Sequence, residues 1–230
     1  MKLLALDTAT EACSAALYID GEIRQQYQLA PREHTQLILL QAQTLLDEAG
    51  LTIQQLDGLA FGCGPGSFTG VRIATSVVQG MAFGADLPVV PISTLAAMAQ
   101  RMVEQHQASH VISAIDARMG GIYAACYIVD DAGLMRLAGV EALSSPVNFV
   151  TPTDHRWIGA GTGWQTHGEV LQQRMGARVS DIYPDVLPQA ASMALLAADA
   201  MRKGQTVSAE QAQPIYLRND VAKKISEQGR

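Results

Sequence analysis

Three scarcities in this chain each exclude a class of protein. Its 230 residues contain three cysteines, Cys13, Cys63 and Cys126, odd in number and widely separated. They form neither a disulfide framework nor a CxxC metal or redox site, and are expected as small core residues. Long apolar runs are missing: Leu37 to Leu40 and Val89 to Ile92 fall far short of the roughly 18 residues of a membrane span. Met1-Lys2 leads into a strand-like segment instead of a signal peptide, so a soluble cytoplasmic protein is expected. Positive charge is also scarce. Lys and Arg number 16 against 22 Asp and Glu, a net charge of −6. Nonspecific affinity for a polyanion comes mainly from Lys and Arg neutralising phosphates, so strong independent nucleic-acid binding is not expected.

What is present is a chain able to bury a full core. It is 48% hydrophobic, and its length suits one large domain or two small ones of about 100 residues. Lys2 to Thr8 and Ala12 to Ile19 read as strands, and Asp20-Gly21 is the dipeptide of a tight hairpin turn. In the third strand Ile23, Tyr27 and Leu29 share one face and polar residues the other, as in a half-buried strand. Pro31 opens a helix ending at Ala49 and closed by Gly50. A strand at Leu59 to Cys63, a glycine-rich loop, a helix from about Gly70 to Gly84, a strand at Pro88 to Ile92 and a helix capped by Ser93 follow. The order then restarts. Strands are expected at Val111 to Asp116, Ile122 to Val129, Leu134 to Val140 and Trp157 to Ala160, with helices after Pro146, near Gln165 to Met175 and from Gln189 to Lys203. Two βββαβα halves, 1–108 and 109–230, are the α/β layout of the actin-like superfamily of sugar kinases and Hsp70, with its ribonuclease H-like domains.

Six segments carry a closer resemblance: Leu3 to Leu17, PREHTQ (Pro31 to Gln36), GPGSFTGVRI (Gly64 to Ile73), IDARMGGIY (Ile115 to Tyr123), GTGW (Gly161 to Trp164) and PIYLR (Pro214 to Arg218). In this order they resemble the TsaB (YeaZ) family from end to end. The resemblance implies a required, non-catalytic subunit of the bacterial tRNA threonylcarbamoyladenosine machinery. It would pair with a related actin-like catalytic subunit, TsaD, and a small ATPase, TsaE, would join them. Threonylcarbamoyl would pass from its adenylate to the adenosine beside the anticodon in tRNAs reading codons that begin with A. The chain would meet tRNA indirectly, through the complex, and would dimerise when alone. No catalytic residue, metal or cofactor is assigned.

Actin-like nucleotidases surround phosphate with a Gly-rich turn after the first strand. Here that turn, Asp7 to Glu11, has no glycine and carries Glu11. Asp7 is either a polar strand end or a ligand for hydrated magnesium. The loop Gly62 to Gly70 can be read as an anion site at a helix N-terminus, with Gly66, Ser67 and Thr69 as ligands. It can equally be read as a strand-to-helix turn capped by Ser67 or Thr69. His106 and His110 have HxxxH spacing but no third ligand, and read as surface histidines at a helix end. His34 is expected to serve its helix start or an interface. Asp116 and Arg118 either line an interdomain cleft or shape a turn. Ser67 has no sequence-evident base, which leaves hydrolase chemistry unsupported. An independent actin-like kinase or ATPase is the competing reading.

Two helices show an unexplained second face. On the first, Ile38, Ala42, Leu45 and Ala49 make the core stripe with Leu39 and Leu46 at its edge, while Leu37 and Leu40 project oppositely among Glu33, Gln41 and Thr44. On the second, Val71, Ala74, Val77, Val78, Met81 and Ala85 make the core stripe. Ser76, Gly80 and Gly84 recur every four residues opposite it, flanked by Ile73 and Phe83. Glycine weakens a helix by about 1 kcal/mol relative to alanine, and close approach of another helix is one reason to keep it. A partner-binding patch of Leu37, Leu40, Ile73, Ser76, Gly80, Phe83 and Gly84 is therefore expected. The C-terminal segment, where Arg218, Lys223, Lys224 and Arg230 outnumber Asp220 and Glu227, reads as a solvated end or as a faint signal for direct tRNA contact.

Overall fold

The computed structural model describes residues 1–150, 152 and 154–218. The first half runs β1 (Lys2–Asp7), β2 (Ala12–Ile19), β3 (Glu22–Leu29), α1 (His34–Ala49), β4 (Gly58–Gly64), α2 (Phe68–Ala85), β5 (Val89–Ser93) and α3 (Thr94–His106). The second runs β6 (His110–Asp116), β7 (Ile122–Val129), β8 (Met135–Leu137), β9 (Ala142–Ser144), β10 (Trp157–Ala160), α4 (Thr162–Met175), β11 (Val179–Tyr183) and α5 (Ala190–Arg202). Sheet order is β3-β2-β1-β4-β5 in the first half and β11-β10-β6-β7-β8 in the second. Read from the other edge, the second sheet has the order of the first: an antiparallel meander followed by two parallel strands.

Local chemistry accounts for most boundaries. Asp20 and Gly21 both take positive φ, 49° and 106°, as a two-residue hairpin turn requires. Gly50 closes α1 in the left-handed region, and the Ser93 hydroxyl accepts from the Leu95 and Ala96 amides to open α3. Four expectations change. The helix after Pro146 is one 3₁₀ turn, Pro146–Asn148, since a proline and β-branched residues leave too little to propagate a helix. The strand expected over Leu134 to Val140 is confined to β8, and a second short strand, β9, follows beyond it, both paired with β7. Strand β11 has no counterpart in the sequence reading; its pattern of half-buried and exposed residues lacks a clean alternation. Only the first part of β3 is covered: Ile23 packs under α5, where Gln25 Oε1 accepts from the Ala191 amide, whereas Tyr27 and Leu29 lie exposed.

The halves exchange a helix. Helices α1 and α2 cover one face of the first sheet, around Leu6, Ile38, Leu45, Phe61 and Val78. Its other face, with Leu3, Ala5, Ala16 and Val90, is covered by α5 from the end of the chain through Met193, Ala194 and Ala197. Conversely α3 covers the second sheet through Leu95, Met98 and Met102 against Val111, Ala125 and Tyr127. Trp157, Trp164 and Leu171 fill the space between that sheet and α4. The layers are thus α1/α2, first sheet, α5/α3, second sheet, α4. The halves 1–108 and 109–230 remain our proposed division of the chain, each lending its last helix to the other. No helix is long and apolar enough to cross a membrane among the described residues.

Candidate functional site

A cleft of about 1010 Å³ opens between the halves, at the C-terminal ends of β1, β4 and β6. Open α/β sheets bind ligands at this position. The first wall is the turn after β1. Asp7 does not reach the cleft: it is fully buried, Oδ1 accepts from the Ala9 amide at 3.3 Å, and Oδ2 has no partner. Burial pushes the Asp7 carboxyl up to about 7. Gly62 and Met193 of α5 close over it, so tightly that a Cβ at residue 62 would collide with Asp7 Oδ1 and lie 2.9 Å from Met193 Cε.

The glycine-rich loop packs directly on this turn. The Ser67 amide donates to Ala9 O at 2.8 Å, and Thr8 Oγ1 donates to Gly70 O at 2.6 Å while accepting from the Ala74 amide. A Cβ at Gly66 would strike Ala9 O, and one at Gly70 would strike Thr8 O. These glycines thus serve backbone-to-backbone approach. Ser67 caps α2, its Oγ accepting from the Gly70 amide at 3.3 Å. Gly66 and Ser67 line the cleft; Thr69 is exposed and is not part of its lining. His34, the first residue of α1, is buried, with Nε2 2.9 Å from Thr10 O, and so ties its helix to the same turn.

The second wall is the β6–β7 turn. Asp116 Oδ1 accepts from the Arg118 amide at 2.9 Å and Oδ2 lies 3.4 Å from the Arg118 guanidinium. Both residues line the cleft and the pair also shapes the turn, so the two readings of the sequence coincide. The chain end completes the site, which sequence reasoning missed because the contacts are remote. Ile215 N donates to Cys63 O, Tyr216 OH accepts from Arg72 Nε at 2.8 Å, and Arg218 Nη2 donates to Ala117 O at 3.0 Å.

The remaining candidates scatter. His106 stacks on Tyr183 and His110 on His155, on different elements, and no group of three or more metal-ligating side chains occurs among the described residues. Burial pushes the thiols of Cys13 and Cys63 up to about 12 and that of Cys126 up to about 11, so none is a ready nucleophile.

On the far side of the first sheet, Leu40 is 63% exposed and Phe83 76%, and Ser76, Gly80 and Gly84 are exposed. A Cβ on Gly80 or Gly84 would meet nothing within 4 Å, so no helix among the described residues packs there. Leu37 and Ile73 differ from expectation: both are half-buried against the first core. Gln41, placed outside by periodicity, is buried because its amide donates to Cys13 O, and Leu39, placed at the core edge, is exposed instead.

Two ribonuclease H-like halves around a cleft, with the carboxyl of Asp7 sealed from it, define an actin-like protein. Proteins described as tRNA threonylcarbamoyladenosine biosynthesis protein TsaB from Escherichia coli and Haemophilus influenzae are each 43% identical to it, over 97% of this chain and 97% and 96% of theirs. The chain belongs to the TsaB (YeaZ) family. The structure described as YeaZ from Pseudomonas aeruginosa superposes with a TM-score of 0.88 at 47% identity, covering 94% of this chain and 99% of that one. The family profile described as TsaD, tRNA N6-adenosine threonylcarbamoyltransferase, matches residues 26–225.

Proposed function

We propose that this chain acts in tRNA threonylcarbamoyladenosine biosynthesis as a non-catalytic scaffold and activator, pairing with a TsaD catalytic subunit that a TsaE ATPase joins. The observation that carries the non-catalytic reading is the sealed Asp7 carboxyl. A magnesium-nucleotide site needs Asp7 open to water and turn amides free for phosphate, whereas Asp7 lies under Met193 and the Ala9 amide already donates to Asp7 Oδ1. Family membership supports the pathway. Gly66, Ser67 and Thr69 are kept only as a weak anion site, because the loop is already committed to packing.

The docking surface proposed for the catalytic partner, or for a second copy of this chain, is the patch of Leu37, Leu40, Ile73, Ser76, Gly80, Phe83 and Gly84. Exposed apolar residues flanking a track of small ones suit a helix-to-helix interface. Gly80→Trp should abolish heterodimer and homodimer in sedimentation velocity without lowering the unfolding midpoint, since the site is open. Unchanged association with both would sink the patch. Titration of the isolated chain with Mg-ATP should give no heat and no turnover; tight binding with hydrolysis would instead favour the independent kinase or ATPase.

A further inference from the structure

The cleft carries a charge that neither the sealed turn nor the docking patch uses. Arg32, Arg72, Arg118 and Arg218 line it against Glu11 and Asp116, a local excess of positive charge in a chain of net charge −6. Arg118 is paired with Asp116; among the described residues Arg32, Arg72 and Arg218 make no ion pair. Guanidiniums that line one cleft without ion-pair partners repel one another, and a bound anion relieves that. The wall beside them is aromatic. Arg72 lies 3.6 Å from the Phe68 ring centroid, and the Phe68 and Tyr216 rings are 5.8 Å apart, 53% and 43% exposed. Stacking platforms interleaved with guanidiniums are how proteins hold single-stranded nucleic acid.

We propose that this cleft binds a single-stranded segment of the RNA substrate directly, Arg32, Arg72 and Arg218 taking phosphates and the Phe68–Arg72–Tyr216 wall stacking a base. The inference rests on the tRNA-modification reading and deepens it. Placement supports it as well. Arg72 and Gly80 are eight residues apart on α2, about 12 Å at 1.5 Å per residue, so the proposed docking patch begins near the cleft. Beyond Arg218 the sequence adds Lys223, Lys224 and Arg230, which lie outside the described residues. The buried Asp7 carboxyl takes no part, which separates this site from a magnesium-nucleotide pocket.

The test is fluorescence anisotropy of the full chain with a labelled single-stranded RNA of tRNA anticodon-loop sequence, across a salt series, with Mg-ATP as competitor. Three phosphate contacts give a slope of about −2 in log affinity against log salt. Arg32→Ala, Arg72→Ala and Arg218→Ala should each flatten it by about 0.7, and the triple variant should lose at least tenfold in affinity at low salt. Phe68→Leu should lower affinity with the slope unchanged. Arg32 makes no hydrogen bond among the described residues, so its variant tests binding free of folding effects. An unaltered slope and affinity in the triple variant, or displacement of RNA by equimolar Mg-ATP, overturns the proposal. A modification assay with purified TsaD and TsaE separates the two failures. If tRNA is modified equally without this chain, the functional reading fails; if the chain is required but the triple variant binds RNA as the parent does, only the cleft inference fails.

Discussion

Asp7 is a carboxyl placed where water cannot reach it, and its protonation is therefore tied to folding. An unfolded carboxyl ionises near 3.8, whereas the folded one keeps its proton until about 7. Between those values the folded state binds more protons, so stability falls as pH rises from about 4 to 7 and stays lower above. The difference corresponds to about 4 kcal/mol at 1.36 kcal/mol per tenfold change. Asp7→Asn should match the parent near pH 4 and gain stability over it progressively to pH 8, read as urea midpoints at each pH. A gap that does not change with pH would mean that Asp7 is solvated. Of the two carboxyl oxygens, one is used by Ala9 N and the other faces a packed interior, which is the geometry behind the proposed loss of a magnesium position.

Helix α2 puts glycines to two opposite uses along one element. At its start Gly70 lets the Thr8 carbonyl approach where a Cβ would sit, so Gly70→Ala should cost about 1–3 kcal/mol through backbone displacement. Ten residues later Gly80 faces open space, and Gly80→Ala should stabilise the isolated chain by up to about 1 kcal/mol through helix propensity. Denaturant unfolding of the two variants should therefore shift in opposite directions. A common direction would show that one of the sites is misread. The periodicity of α2 identified the exposed track, but nothing in the periodicity distinguishes a glycine kept for the interior from one kept for a surface. That distinction depends on Thr8, sixty-two residues away. Gln41 makes the same point on α1, since its burial follows from a cross-element bond to Cys13 and not from its side of the helix.

At the scale of the molecule, exchange of α3 and α5 makes the halves interdependent. Both tryptophans, Trp157 and Trp164, are buried in the second half, so their emission reports that half alone. Because α5 covers the first sheet and α3 the second, loss of either half uncovers the other, and unfolding should be one transition. Tryptophan emission and far-UV circular dichroism should give coincident urea curves. Separate midpoints would mean that each half holds its own core. Arg136 of β8 ties the second sheet to α5, the helix that covers the first sheet, bonded to Asp130 and, at 2.6 Å, to Asp199 of α5.

The amino-acid order alone determined most of the element types, the hairpin at Asp20-Gly21, the caps at Gly50 and Ser93, the family through its six segments, and the exposed small-residue track on α2. Each of these depends on neighbours within a few residues, where backbone conformation and period are local properties. Only the tertiary structure decided that α5 returns to cover the first sheet, that Met193 and Gly62 seal Asp7, and that Ile215, Tyr216 and Arg218 come back to wall the cleft. Those outcomes join residues more than fifty positions apart, and the steric fit and burial that choose them exist only once both sheets have formed.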